Sequence, residues 1–142
     1  TVNQDHAILV ADRPAGIATI RNVLGADVNI VSSTTFSDAE ALLQDRSKQF
    51  SLILCGVHFD DSRMFDLAVL AQRAGPGSHG PLVIFRDLDS QLDATFFRSI
   101  ELSAKVLGAA GFVDLFDLKI KHGVAGADER FKQYLTQLLM PS

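Results

Sequence analysis

The chain has 142 residues, 47% of them hydrophobic and 21% charged, with a net charge of −4. That length fits one domain with a substantial core, and the composition is globular rather than disordered. The acidic balance argues against nonspecific binding to nucleic acid or an anionic membrane, and no basic run or basic–aromatic interleaving opposes it.

Ala7–Ala11 (AILVA) opens the chain's pattern as a continuous apolar strand. Ala15–Leu24 then places Ile17, Ile20, Val23 and Leu24 on one helical face. Val28–Val31 predicts a second strand. Ser37-Asp38-Ala39-Glu40 fits a capping box, in which Ser37 accepts the N3 amide and Glu40 reaches back, and it opens a helix to about Arg46. Leu52–Cys55 with Val57 predicts the third strand, and Met64–Ala74 a helix. Leu82–Phe85 predicts the fourth strand, Leu92–Leu107 a rather long helix, and Gly111–Leu115 the fifth strand. Asp128–Met140 closes the chain as a helix with Phe131, Tyr134, Leu135, Leu138 and Leu139 on one stripe. Several strands are continuously apolar rather than alternating, which suits a sheet covered on both faces.

Strand–helix alternation five times over implies an α/β domain with a parallel, doubly wound sheet. Five strands suit the flavodoxin-like order 2-1-3-4-5. No internal repeat, linker or low-complexity segment divides the chain. One domain over residues 1–142 is expected, with its core at about 7–140. The opening on Thr1 and the ending Met140-Pro141-Ser142 suggest a piece of a longer multidomain protein. Thr1–His6 is polar and does not read as a signal peptide, and no apolar run approaches the roughly 20 residues of a membrane span. The expected location is the cytoplasm. Cys55 is the sole cysteine, which excludes an internal disulfide and a cysteine-built zinc cluster.

In doubly wound folds the site lies outside the C-terminal ends of the strands. The loops there read Ala11-Asp12-Arg13-Pro14, Gly56-Val57-His58-Phe59-Asp60-Asp61, Arg86-Asp87-Leu88-Asp89 and Asp114-Leu115-Phe116-Asp117. The glycine-rich stretch 74–81 follows a helix and precedes a strand, so it falls on the opposite edge from a phosphate site. The first strand is followed by one glycine, Gly16, and not by a dinucleotide fingerprint. Cys55 lies inside a strand, where a thiolate is disfavoured, and His6, His58, His79 and His122 stand in no nucleophile context. Seven acids, Asp12, Asp60, Asp61, Asp87, Asp89, Asp114 and Asp117, lie near the functional edge, where hard cations favour carboxylates. The same acids suit solvated loops and helix caps, with Asp60 or Asp61 before the third helix and Asp89 or Ser90 before the fourth.

Together these loops resemble the receiver domain of two-component response regulators. The likeness runs over roughly Ala7–Leu118, through AILVADRP, LILCGVHFDDSRMFDL, PLVIFRD and LGAAGFVDLF. The resemblance implies a phosphoacceptor aspartate ending the third strand, two acids after the first that help hold Mg²⁺, a hydroxyl ending the fourth and a lysine ending the fifth. Here the phosphoacceptor position falls on Gly56 and the acid pair on Ala11 and Asp12. The hydroxyl falls on Arg86, the lysine on Leu115, and the proline after it on Phe116. Glycine offers no nucleophile, a lone Asp12 is a poor Mg²⁺ site, and Leu115 removes a cation that would offset phosphoryl charge.

The expectation is a degenerate pseudo-receiver: a signalling module without catalytic residues, cofactor or metal, which acts by protein contact. Its partner would be a protein, a tethered output domain or a second copy. The face implied is the fourth helix, fifth strand and fifth helix, with Phe96, Phe97 and Ile100 as candidate contacts. Arg86 is expected to pair with Asp12 or Asp87 and stand in for the missing cation. The alternative is a working receiver that uses Mg²⁺ and a displaced acceptor, Asp60 or Asp61. Asp60 lies four residues past Gly56, roughly 13 Å away in extended chain. A flavin-type binder is a weaker alternative, because no Ser/Thr-rich phosphate loop follows the first strand.

Overall fold

The computed structural model describes residues 7–26, 28–45, 47–61, 63–73, 79–87 and 94–139. In chain order the elements are β1 (Ala7–Ala11), α1 (Pro14–Leu24), β2 (Ile30–Ser33), α2 (Phe36–Gln44), β3 (Phe50–Gly56), α3 (Met64–Arg73), β4 (Leu82–Arg86), α4 (Ala94–Val106), β5 (Gly111–Asp114) and α5 (Leu115–Leu139). The sheet is parallel with order β2-β1-β3-β4-β5, the expected doubly wound arrangement.

The continuous apolar strands are explained by burial on both faces. Leu9, Ile53, Cys55 and Ile84 point to one face, where Ala39 and Leu43 of α2, Leu67 and Ala68 of α3, and Ile100 and Ala104 of α4 cover them. Ile8, Val10, Leu52, Leu54, Val83 and Phe85 point to the other, against Ile17, Ile20 and Val23 of α1 and Ala127, Phe131 and Leu135 of α5. At about 25 cal/mol per Å² of apolar surface removed from water, these two layers supply the main favourable term in folding.

Four departures from the expected boundaries have a local reason. The second strand is Ile30–Ser33, two residues later than expected. It is an edge strand with one neighbour, so the polar pair Ser32-Ser33 is tolerated. Thr35, not Ser37, caps α2: its hydroxyl accepts from the Asp38 amide at 3.2 Å. Leu115 is not strand but the first residue of α5, because Asp114 Oδ1 accepts the Asp117 amide at 2.9 Å and starts the helix there. The closing helix therefore begins well before Asp128, and Gly123 breaks it with φ 75° and ψ 172°, a non-helical conformation that favours glycine. The expected helix start at Leu92, the caps Asp89 and Ser90, and the ends Ala74, Arg46 and Met140 lie outside the described residues, as do the side chains of Phe96, Phe97 and Leu139. No described helix is long and apolar enough to cross a membrane.

Candidate functional site

The C-terminal ends of β1, β3, β4 and β5 bring together Asp12, Gly56, Arg86, Asp87 and Asp114. β1 ends at Ala11, and the next amide, that of Asp12, bonds Ser33 O at 3.1 Å. This turns the Asp12 side chain under the sheet edge, where it is fully buried. Gly16, in the first turn of α1, and Gly56, at the end of β3, close around it. A Cβ built on either glycine would collide with the Asp12 carboxylate. Asp12 thus fills the space that a side chain at position 56 would need.

Neither Asp12 oxygen has a hydrogen-bond partner among the described residues. Burial pushes its pKa up to about 6, against the pull of the Arg13 backbone amide and guanidinium and with a further push from Asp87. The neighbouring cation is Arg13. Its Nε lies 3.7 Å from Asp12 Oδ1, and its Nη2 donates to Asp87 Oδ1 at 2.8 Å. Asp87 is itself buried. His58 lies near the same charges, with its pKa pushed down first by burial and then by Arg13. Burial pushes the Cys55 thiol well above its ordinary pKa, so it offers no thiolate.

Arg86 was expected to pair with Asp12 or Asp87, and among the described residues its acid is instead Asp114. Its Nη1 donates to Asp114 Oδ2 at 2.9 Å, and its guanidinium lies over the Phe116 ring, 4.8 Å from the centroid. The cause is register: Arg86 and Asp114 are directly paired across β4 and β5. Asp114 serves both this arginine and the start of α5. Leu115 is fully buried in the α1/α5 core layer, so the fifth-strand position of the site turns inward to packing.

Asp60 and Asp61 stand in left-handed backbone, φ 40° and 55°. Among the described residues Asp60 is bonded toward α2 and not α3. Its Oδ2 accepts the Phe36 amide at 2.7 Å, at the start of α2. Arg63 lies over the Phe36 ring at 3.9 Å and strengthens this link between the β3–α3 loop and α2. Asp61 is exposed.

Reading the sequence placed Asp12, Gly56, Arg86, Asp87 and Asp114 at one edge. It missed the roles of Arg13 and Gly16. The available signal was Asp12-Arg13 beside Pro14, a rigid turn that fixes where a cation next to an acid is held. Among the described residues no group of three or more His, Cys, Asp or Glu side chains is arranged to hold a metal ion.

No family model and no curated protein matches this sequence. Solved structures do match. A response regulator from Hahella chejuensis superposes with a TM-score of 0.67 at 22% identity, covering 95% of this chain and 96% of the other. A response regulator receiver domain from Rhodospirillum rubrum gives 0.64 at 19% identity, covering 95% of each. A response regulator from Thermotoga maritima gives 0.58 at 14%, covering 84% of this chain and 98% of that one. At these identities the likeness is one of fold: a five-stranded sheet of order 2-1-3-4-5 with five helices.

Proposed function

We propose that this domain is a receiver-like module of signal transduction that regulates by protein contact and carries no acyl phosphate. One observation supports this reading above the others. The carboxylate of Asp12 occupies the space in which a side chain on Gly56 would begin. Acyl-phosphate chemistry needs a carboxylate nucleophile open to the donor, and charge-offsetting groups around it. At this edge the candidate nucleophile position is glycine, Asp12 is fully buried, Arg86 is bound to Asp114, and Leu115 belongs to the core.

The contact face proposed is α4, β5 and α5. β5 is an edge strand. Leu102 and Val106, four residues apart on α4, are exposed, and so are Ile120 and Val124, on either side of the Gly123 break in α5. Exposed apolar residues on the helices flanking a sheet edge fit a protein partner better than a small ligand. Ile100, a candidate contact by sequence, is 3% exposed and belongs to the core. The partner proposed is a protein, either a tethered output domain or a second copy, met in the cytoplasm. Nucleic acid is not expected at a net charge of −4.

The test is intact mass after incubation with Mg²⁺ and a small phosphoryl donor, run on wild type, Asp60→Asn and Asp61→Asn. No added phosphoryl group on any of them is the expected result. A gain on wild type that disappears in one variant would replace this reading with a receiver that uses a displaced aspartate.

A further inference from the structure

Two buried carboxylates, each just past the end of a different strand, meet at one guanidinium. Arg13 Nη2 bonds Asp87 at 2.8 Å, and Nε lies 3.7 Å from Asp12. Both acids are buried while Arg13 is partly exposed. A buried carboxylate without a counter-charge is strongly disfavoured, so this edge needs a cation. In a receiver-like fold that cation would be Mg²⁺. The residues here do not fit it. Mg²⁺ demands near-octahedral oxygen ligation, in which one or two open carboxylates are completed by waters. Arg13 Nη2 is bonded to Asp87 and its Nε lies 3.7 Å from Asp12, so the guanidinium already stands where an ion would have to meet both acids.

We propose that Arg13 is a built-in cation that takes the place of a divalent metal at this edge. The planar fork of a guanidinium lets one side chain face two acids at once, which a lysine ammonium does less well. Its backbone favours the role. Arg13 precedes Pro14 and is held extended, φ −62° and ψ 157°, as the residue before α1. The turn after β1 is thereby tied to the end of β4 by a group that does not dissociate. This deepens the proposed function, and it rests on that reading only for which metal is displaced.

The test is a Mg²⁺ titration at about pH 8, above the range where Asp12 titrates. It is read by thermal unfolding, with Mn²⁺ affinity followed by water-proton relaxation. The wild-type melting temperature is expected to stay unmoved by Mg²⁺, and so is that of Arg13→Lys, which keeps the charge. Arg13→Ala is expected to melt lower and to regain stability with Mg²⁺, or to fold only in its presence. Its Mn²⁺ affinity should exceed that of wild type by about tenfold or more, and adding Asp87→Asn should remove the gain. Stabilisation of the wild type by Mg²⁺ would overturn the assignment. So would an Arg13→Ala protein that gains nothing from Mg²⁺, folded or not. No phosphoryl donor is present, so these outcomes are separate from those of the mass experiment.

Discussion

Asp12 is a carboxylate held in a nearly apolar seat, and its titration should be visible in the stability of the whole domain. Its folded pKa is about 6, against an ordinary 3.8. The folded state therefore binds the Asp12 proton more tightly than the unfolded chain does. Its contribution to stability is greatest below the ordinary value and declines as pH rises through the window between the two. Across that window the loss is about 3 kcal/mol, at 1.36 kcal/mol per unit. Urea unfolding from acid to neutral pH should show this fall in wild type and its absence in Asp12→Asn; identical pH profiles would contradict it. Asp12, Gly56 and Leu115 were legible in the sequence because each is defined by what its own side chain can or does not offer. The partner of Arg86 was not legible. It depends on the pairing of Arg86 with Asp114 across two strands, and strand register is not written in either segment alone. Arg13 was passed over because adjacent residues on an extended chain point apart, and only the turn into Pro14 brings its guanidinium back beside Asp12.

At the scale of elements, long apolar runs were readable and their ends were not. Strand identity follows from continuous burial, but the start of α2 depends on a cap, and Thr35 and Ser37 are both good caps. Thr35 is used, and the Phe36 amide that follows it is bonded to Asp60 from a loop 24 positions away. The final helix was read only in its second part, where Phe131 and Leu135 mark a core stripe. Its first part, from Leu115, carries the exposed Ile120 and lacks such a stripe. Gly123 joins the two parts at φ 75°, with nothing within 4 Å of where a Cβ would stand. Gly123→Ala is therefore a test of backbone strain without steric clash. Roughly 1–3 kcal/mol of stability should be lost, the cost of holding an L-residue in a backbone region that is essentially glycine's alone. Equal or raised stability in urea unfolding would show that the break is not set by Gly123.

For the whole molecule, a parallel sheet followed from the alternation of strands and helices, and its order from the doubly wound arrangement that suits five strands. The same topology gathers the ends of β1, β3, β4 and β5, so the location of the site was legible before its contents were. Those contents are Asp12 seated between glycines, Arg13 bonded to Asp87, and Arg86 bonded to Asp114. A domain that switches by phosphorylation needs two states separated by a ligand's differential affinity. The direct test is the amide NMR spectrum of wild type, recorded alone and then with Mg²⁺ and a small phosphoryl donor. The resonances of Asp12, Gly56, Arg86 and Leu115, and those of α4, β5 and α5, are predicted to stay in place. A second set of peaks at the edge and along that face, appearing with the donor, would contradict a module of constant state.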